Sequence, residues 1–431
     1  MEIVKRNVLI FPGGTEIGLE IWNSLKECKE INLFSVGSPL SNHAPYVFNI
    51  HSIVPDVHSS NWIDELNSVL TKYDIDYIFP AHDDVIVALA CNSDKINADI
   101  ISSPLKTCLI TRSKTETYNK FKDLLPVPKI FKYPFEIDTF PVFVKPDKGQ
   151  GSQNTFKVNR KNLLKILLDT DPDLITLEYL EGNEYTVDCF TNRKKGLLFC
   201  SGRERIRTRN GISMDSKPVT PEINEIFQEY GQIISDEIEL YGAWFFQMKL
   251  DSSGNYKLLE IAPRISGTMA THRVLGINFP LLSIYEKEGV DIDIMINEYT
   301  TRIDRALINR YKHNINYKNV YVDLDDTIII NNKINTQIMK FLFQAINEGC
   351  KLILITKTIN DLDKTLKKWR LTDLFDEIIL LNKEGSKADH IDPKDSILID
   401  DSFSERKSVF EKLKIPTFDS SMIELLIDWK F

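Results

Sequence analysis

The segment FPVFVKPDKGQGSQNTFKV, residues 140–158, joins a short apolar run to a lysine and a glycine-rich loop. Its β-branched and aromatic residues predict a strand that carries Lys145 at its end. The loop that follows contains Lys148, Gly149, Gln150, Gly151 and Ser152. A lysine beside loop amides that can close over an anion suits a polyphosphate. A solvent-exposed hairpin is the alternative that this segment alone leaves open.

Two carboxylates follow in LITLEYLEGNEYTVDCF, residues 174–190. Glu178 ends a predicted strand, and Glu184 lies just beyond a turn at Gly182. Carboxylates in these positions could accept hydrogen bonds from an adenine edge or from ribose hydroxyls. The alternative is a pair of acids at the solvent edge of a hairpin.

A second hairpin is predicted in WFFQMKLDSSGNYKLLEIAPRISG, residues 244–267. Pairing across the turn at Ser252–Gly254 brings Gln247 and Glu260 to one face of the sheet. Oxygen ligands on two rigid strands suit a Mg²⁺ ion that bridges phosphates. Arg264, just beyond this strand, could stabilise charge on a transferring phosphoryl group.

Four alternating arginines lie in SGRERIRTRNG, residues 201–211. If the strand continues, Arg203, Arg205, Arg207 and Arg209 share one face, and arginine forks bind carboxylate or phosphate. A solvated basic edge strand is the alternative. His272, in GTMATHRVLG, is a further candidate for the substrate side.

The N-terminal region, residues 1–110, alternates apolar strands with amphipathic helices, which predicts a doubly wound parallel sheet. Its loop FPGGTEIG, residues 11–18, lacks the spacing of a dinucleotide site. We therefore interpret the loop as a structural turn between a strand and a helix.

The C-terminal region begins with another apolar strand, VYVDLDDTIII, residues 320–330. Carboxylates at the end of a buried strand need a partner, and a cation can supply it. Asp323 and Asp325 could divide the work of phosphoryl transfer, one as nucleophile and the other as acid/base. Later predicted strands end in Thr356 and in Asp400–Asp401, and Lys387 lies between them.

Length and composition limit the number of domains and the classes of partner that the chain can have. The chain has 431 residues and a net charge of −9, so about three domains are expected and a dedicated nucleic-acid surface is not. No apolar run reaches the roughly 18 residues of a membrane span. The six cysteines form no CxxC pair, which favours a reduced, cytoplasmic protein. The predicted divisions are residues 1–110, 111–315 and 316–431, with α/β and α+β architecture.

The order of these motifs along residues 1–300 resembles the ATP-grasp superfamily, in its carboxylate–amine ligase branch, which includes carbamoyl-phosphate synthetase and amino-acid ligases. The resemblance implies a Rossmann-like pre-ATP-grasp domain followed by the ATP-grasp fold. It also implies that ATP is bound by Lys114, Lys145, Gly149, Gly151, Ser152, Glu178, Leu180 and Glu184. Gln247 and Glu260 would hold Mg²⁺, Arg264 would be catalytic, and substrate would meet Arg203, Arg205, Gly267 and His272. Ala262 departs from the family, because an asparagine that binds metal usually stands there.

The C-terminal motifs resemble the haloacid dehalogenase (HAD) superfamily. The resemblance implies a three-layer α/β/α domain with a minimal cap, in which Asp323 is the nucleophile and Asp325 the acid/base. Lys387, with Lys383 as an alternative, and Thr356 would bind phosphate. Asp323, Asp325 and Asp400 would hold Mg²⁺. A degenerate, non-catalytic domain is the other interpretation.

Together the motifs predict a bifunctional cytoplasmic enzyme that needs ATP and Mg²⁺. An ATP-grasp ligase would join a carboxylate to an amine through an acyl phosphate, and a HAD-type phosphatase would act on a phosphorylated small molecule. A small-molecule kinase and a nucleotide-binding protein with one degenerate site are the alternatives. No membrane or nucleic-acid partner is expected, and the oligomeric state is left open, with a homodimer as one option.

Overall fold

The computed structural model describes residues 5–149, 151, 153–358 and 361–430. Contacts within the chain divide it into two compact units, Met1–Ala306 and Leu307–Phe431. The predicted boundary near residue 315 lies a few residues beyond this division. The predicted division near residue 110 falls inside the first unit and stays a prediction.

The first unit opens with a five-stranded parallel sheet in the order β3-β2-β1-β4-β5. Its strands are β1 (Arg6–Phe11), β2 (Ile31–Gly37), β3 (Ile50–Ile53), β4 (Tyr77–Pro80) and β5 (Asp99–Ile100). The helices are α1 (Glu16–Leu25), α2 (Ala44–Val47), α3 (Trp62–Lys72) and α4 (Asp83–Cys91). Val8, Leu9 and Ile10 are wholly buried, as expected for a central parallel strand covered on both faces. The predicted parallel sheet is confirmed.

The glycine-rich turn between β1 and α1 is closely packed. A Cβ atom on Gly13 would lie 2.5 Å from Cβ of Ser35, and one on Gly14 would lie 2.3 Å from Cγ of Asn42. Thr15 then caps α1 by accepting from the backbone N–H of Gly18. These contacts explain both glycines by packing, in agreement with the structural interpretation of the loop.

A four-stranded antiparallel sheet follows, in the order β6-β9-β7-β8. Its strands are β6 (Ile130–Phe131), β7 (Val142–Pro146), β8 (Phe156–Val158) and β9 (Leu174–Glu178). The helices of this region are α5 (Leu105–Arg112), α6 (Lys114–Phe121) and α7 (Lys161–Thr170). Val142 and Val144 point into a small apolar core, so the alternate residues Phe143 and Lys145 point to the opposite face.

A six-stranded antiparallel sheet completes the unit, in the order β14-β13-β10-β11-β12-β15. Its strands are β10 (Glu184–Asn192), β11 (Gly196–Arg209), β12 (Ile212–Pro218), β13 (Gly242–Leu250), β14 (Tyr256–Ala262) and β15 (Ile303–Asp304). The helices are α8 (Pro221–Glu237), α9 (Ala270–Arg273) and α10 (Phe279–Lys287). The residue periodicity of 221–242 predicts a longer α8. The helix ends earlier because Ile238 is extended and Leu240 turns into the core.

The second unit contains a five-stranded parallel sheet in the order β20-β19-β16-β21-β22. Its strands are β16 (Asn319–Val322), β19 (Lys351–Thr356), β20 (Glu377–Leu380), β21 (Ser396–Ile399) and β22 (Thr417–Phe418), and a small hairpin pairs β17 (Ile329–Ile330) with β18 (Lys333–Ile334). The helices are α11 (Thr336–Asn347), α12 (Leu362–Trp369) and α13 (Phe403–Leu413). The predicted α/β architecture is confirmed, whereas the minimal cap stays a prediction.

Among the described residues, no helix has the length and apolar character needed to cross a membrane. All six cysteines are free thiols.

The core beneath the six-stranded sheet is tightly packed around Phe227, so truncation of this residue is expected to destabilise the fold. Phe227 is wholly buried, and its ring lies 5.0 Å from that of Tyr256. Phe227→Ala should lower the free energy of unfolding by about 3–5 kcal/mol. Phe135→Ala is the matched control, because Phe135 is 75% exposed, and it should change stability by less than about 0.5 kcal/mol. Equal denaturant midpoints for the two variants would contradict this packing.

Candidate functional site

A cleft of about 880 Å³ lies between the four-stranded and six-stranded sheets. It brings together residues that the sequence separates by more than a hundred positions. Nine of the predicted nucleotide and metal residues line it: Lys114, Lys145, Gly149, Gly151, Glu178, Leu180, Glu184, Gln247 and Glu260. Ser152 lies outside the described residues. We call this opening the first cleft.

Two ammonium groups meet on one side of the first cleft. Lys145 donates to the hydroxyl of Tyr118 at 3.1 Å, and Lys114 donates to the carbonyl oxygen of Gly149 at 2.8 Å. Burial, and then the charge of Lys114, lowers the pKa of Lys145 to about 7. Burial also lowers the pKa of Lys114. Neither ammonium forms an ion pair with a described carboxylate, so the first cleft presents cationic donors that an anion can satisfy.

Gln247 and Glu260 lie directly opposite each other in the β13–β14 register, as predicted. The oxygen of the Gln247 amide accepts from Arg205 at 2.8 Å. Glu260 lies close enough to Lys114 and Lys145 to raise the pKa of both ammonium groups. One carboxylate and one amide do not form a complete metal cage. They fit a Mg²⁺ ion that takes its other ligands from phosphate and water, which is the usual arrangement for this ion.

The acidic residues of the first cleft already have partners within the protein. Glu178 accepts from the backbone N–H of Lys129 at 2.9 Å and pairs with Lys257 at 3.1 Å. Glu184 pairs with Arg205 and lies 3.6 Å from Lys249. Both carboxylates are therefore fixed at the cleft wall. Their predicted contacts with adenine and ribose stay predictions.

A second cleft of about 610 Å³ adjoins the first and shares Arg205, Gln247 and Glu260 with it. It is rich in arginine and small polar residues. Its other lining residues include Glu16, Asp83, Thr186, Arg203, Arg264, Ser266, Gly267, Thr268 and Arg305. Because the shared residues stand between the two openings, a group bound in one is adjacent to a group bound in the other.

Arg264 lines the second cleft as part of an ion pair. Its Nη2 atom donates to Asp83 Oδ2 at 3.1 Å, and its Nε donates to the other oxygen at 2.5 Å. The charge of Arg264 holds the pKa of Asp83 below its usual value, although burial alone would raise it. No sequence pattern indicates this partner, which lies in the first turn of α4. The bidentate pairing fixes the guanidinium and offsets much of its charge.

The predicted row of four arginines is not one surface. Shifts in the β11–β12 register around Arg207 interrupt the alternation. Arg203 is 1% exposed and pairs with the buried Asp188, whereas Arg207 and Arg209 are exposed. Arg203 and Arg205 line the second cleft, so only the first half of the row reaches it.

His272 is buried and is not among the residues that line the two clefts, and the substrate role predicted for it stays a prediction. The ring is 2% exposed and lies edge-on to Phe199 and Phe279. Its Nδ1 atom lies 3.0 Å from Oδ2 of Asp188, the carboxylate that also binds Arg203. Arg203 and His272 together hold the pKa of Asp188 at about 2, against the effect of burial. His272 is therefore a positioning residue for the Asp188–Arg203 pair.

A separate polar site lies at the ends of β16 and β21 in the second unit. Lys387, in a 3₁₀ turn, donates to Asp323 Oδ1 and to Asp400 Oδ2, each at 2.6 Å. All three side chains are buried. Burial raises the pKa of Asp323 to about 6, even though Lys387 opposes the shift. The exposed Lys383 makes no such contact, so the structure favours Lys387 of the two candidates.

Asp323, Asp400 and Asp401 can each offer an oxygen, and these atoms lie within 4.8 Å of one another. This group could hold a cation, and it differs from the predicted set because Asp401 takes the place of Asp325. Asp325 is half-buried beyond the end of β16, where it forms a single bridge to Ile329. Thr356 is buried at the end of β19. A protein group of three carboxylates fits Mg²⁺, which prefers oxygen ligands.

Several residues of these sites are not evident from the sequence. Asp83 pairs with Arg264, which is 181 positions away, Asp188 pairs with Arg203 across two neighbouring strands, and Arg305 lines the second cleft from a segment that carries no motif. Asp401 directly follows the predicted ligand Asp400. The pair of aspartates at the end of a predicted strand was the sequence feature that could have indicated Asp401 as a ligand. The other three required the three-dimensional contacts.

Comparison with known proteins identifies the fold of the larger region. The sequence profile of the family described as "ATP-grasp in the biosynthetic pathway with Ter operon" matches residues 170–309. No curated protein matches the chain by sequence.

Three solved structures illustrate the similarity of fold. Biotin carboxylase from Campylobacter jejuni, in a β-γ-ATP complex, has a TM-score of 0.55 at 15% identity, over 67% of this chain and 72% of that one. N5-carboxyaminoimidazole synthetase from Staphylococcus aureus, complexed with ADP, has a TM-score of 0.54 at 15% identity, over 68% and 80%. L-amino acid ligase from Bacillus licheniformis has a TM-score of 0.50 at 16% identity, over 65% and 73%. The chain thus contains a mixed α/β ATP-grasp fold.

Proposed function

We propose that the first unit is a Mg-ATP-dependent ligase that joins a carboxylate to an amine. The observation that carries this proposal is the meeting of Lys114 and Lys145 with the Gln247–Glu260 pair in one cleft. Cationic donors and oxygen ligands on opposite walls are what a nucleotide polyphosphate with a bridging Mg²⁺ requires. The adjoining arginine-lined cleft gives the acceptor a place beside the γ-phosphate.

The proposed ligase reaction has two steps. A carboxylate oxygen takes the γ-phosphoryl group, and ADP leaves with the electrons of the broken P–O bond. The amine then attacks the acyl carbon, phosphate departs, and the amine loses a proton. Lys114 and Lys145 bind the phosphates, and Arg264 lies at the second cleft where charge develops. Gln247 and Glu260 would hold Mg²⁺, which offsets phosphate charge when bound. The main task of the protein is to position two anions together.

Two of the similar structures support this choice among the reactions of the fold. The Bacillus licheniformis protein is an L-amino acid ligase, and the Staphylococcus aureus protein is a synthetase complexed with ADP. Ala262 has no ligand atom where the family usually has one, so Glu260 would carry more of the metal binding. The alternative reaction, a kinase, would release a stable phosphorylated product.

ADP release should depend on the residues of the first cleft. Lys145→Ala and Glu260→Ala are each expected to lower carboxylate- and amine-dependent ADP release by at least about 100-fold, because Lys145 would offset phosphate charge directly and Glu260 would hold the Mg²⁺ that does so. Lys165→Ala is the matched control, since Lys165 is exposed on α7. Unchanged turnover in both cleft variants would contradict the assignment. A phosphorylated product detected by phosphorus NMR, in place of free phosphate and an amide, would favour the kinase.

We further propose that the second unit is a Mg²⁺-dependent phosphatase of the HAD type. Asp323 would attack phosphorus as the bond to the leaving oxygen breaks, and that oxygen would take its proton from Asp325. Water, deprotonated by Asp325, would then attack the phosphorus of the aspartyl phosphate and release phosphate and free Asp323. Lys387 touches Asp323 and is placed to offset phosphate charge, and Thr356 stands at the end of the neighbouring strand. Asp323, Asp400 and Asp401 would hold the metal. Support comes from the position of the aspartates and Thr356 at or just beyond the carboxyl ends of adjacent parallel strands, where ligands of such sheets bind, with Lys387 reaching them from a 3₁₀ turn.

Hydrolysis of p-nitrophenyl phosphate tests this second activity. Asp323→Asn should lower the rate by at least about 100-fold, because the amide is no nucleophile, and chelation of Mg²⁺ should have a similar effect. Asp326→Asn is the matched control: Asp326 is exposed, and asparagine tolerates its positive φ of 57°. Full activity of Asp323→Asn would remove Asp323 as the nucleophile.

A further inference from the structure

Arg305 is a charged residue of the second cleft that the proposed reaction does not use. It follows β15, and its backbone N–H donates to the carbonyl oxygen of Met214 at 2.8 Å. Ile303, two residues earlier, pairs with Ser216 of β12. The segment is therefore fastened to the edge of the six-stranded sheet. The guanidinium of Arg305 reaches the cleft from a fixed backbone.

The charge of Arg305 is less well compensated than that of the other cleft arginines. Each of the others has a carboxylate partner: Arg203 with Asp188, Arg205 with Glu184 and Arg264 with Asp83. No described carboxylate forms an ion pair with Arg305, and its hydrogen bond to the carbonyl oxygen of Ser213 is long at 3.5 Å. Burial is the largest influence on Arg305 and lowers its pKa, while Glu16 and Glu20 act on it only through space. A half-buried cation without a carboxylate partner among the described residues favours binding of an anion.

Gly267 keeps the guanidinium of Arg305 open to the cleft. A Cβ atom at Gly267 would lie 3.2 Å from Nη1 of Arg305 and 3.1 Å from Cγ of Glu16. Any larger side chain would press on both. The small size of Gly267 leaves room for the guanidinium of Arg305. This is a physical reason for a glycine at the position where a substrate contact is predicted.

Arg203 provides a second unsatisfied donor in the same cleft. Its Nε and Nη2 atoms donate to Asp188, and Nη2 also donates to Ser266. Its Nη1 atom is buried and has no hydrogen-bond partner among the described residues. An unpaired buried donor of a charged group costs free energy, and an acceptor on a ligand would remove that cost.

We propose that the second cleft binds a negatively charged group of the substrate besides the carboxyl group that is activated, and that Arg305 is the residue that selects it. This inference rests on the proposed ligase function and names its substrate class: a carboxylate that carries a second acidic group. The free Nη1 of Arg203 donates to the same substrate.

The test compares acids with their monoamides, which differ by one negative charge at nearly constant shape. Succinate and succinamate, and glutarate and glutaramate, are titrated into the full chain with Mg²⁺ and a non-hydrolysable ATP analogue. The wild type should bind each diacid about 10- to 100-fold more tightly than its monoamide. Arg305→Ala should abolish that difference. Arg305→Lys should keep part of it, because lysine retains the charge and loses the fork.

Arg160→Ala is the matched control, since Arg160 is exposed before α7 and should leave the preference unchanged. Unchanged affinity of Arg305→Ala for the ATP analogue shows that the variant is folded. Equal binding of acid and amide by the wild type, or binding of neither at millimolar concentration, contradicts the proposal. So does an equal loss of succinate and succinamate binding in Arg305→Ala, because Arg305 would then hold the activated carboxyl group. Failure of the ligase assignment is distinct, because it appears as ADP release without amide formation, or as no ADP release, and not as a lost preference for the diacid in binding.

Discussion

Two buried ammonium groups that share one cleft set the main electrostatic constraint on the first unit. Lys145 is buried beside Lys114, and the pKa of Lys145 falls to about 7 because burial and the neighbouring cation both oppose its charge. Such an arrangement is costly in the protein alone, and it becomes favourable when polyphosphate oxygens enter. Glu260, across the cleft, raises the pKa of both lysines, but as one carboxylate it does not neutralise them. The two sheets hold these opposing groups in place.

In the second unit the buried excess charge is negative instead of positive. There a single ammonium, Lys387, lies between Asp323 and Asp400, and Asp401 adds a third carboxylate nearby. The excess of negative charge, together with the raised pKa of Asp323, is what a divalent cation would relieve. The chain thus contains one site with an excess of positive charge and one site with an excess of negative charge. Mg²⁺ and phosphate together would offset both.

The features that could be predicted from the sequence are those that depend on a local pattern of residues. Apolar runs located the strands, and the turn at Ser252–Gly254 was enough to pair Gln247 with Glu260. Patterns that depend on an uninterrupted strand failed, because register shifts near Arg207 broke the alternation of arginines. Charged residues whose partners lie far along the chain could not be assigned, since no spacing links Arg264 to Asp83. The burial of His272 was not evident from the sequence for the same reason, because it depends on packing from other elements.

Proton uptake on nucleotide binding tests the central electrostatic claim most directly. At pH 8 the free protein should hold Lys145 largely neutral, and phosphate should raise its pKa again. Calorimetry of Mg-ADP binding in buffers of different ionisation enthalpy should therefore detect uptake of up to about one proton at pH 8 and much less at pH 6. The uptake should vanish in Lys145→Met. Binding without proton uptake at pH 8, or uptake that persists in Lys145→Met, would contradict the proposal that this buried lysine meets the phosphates.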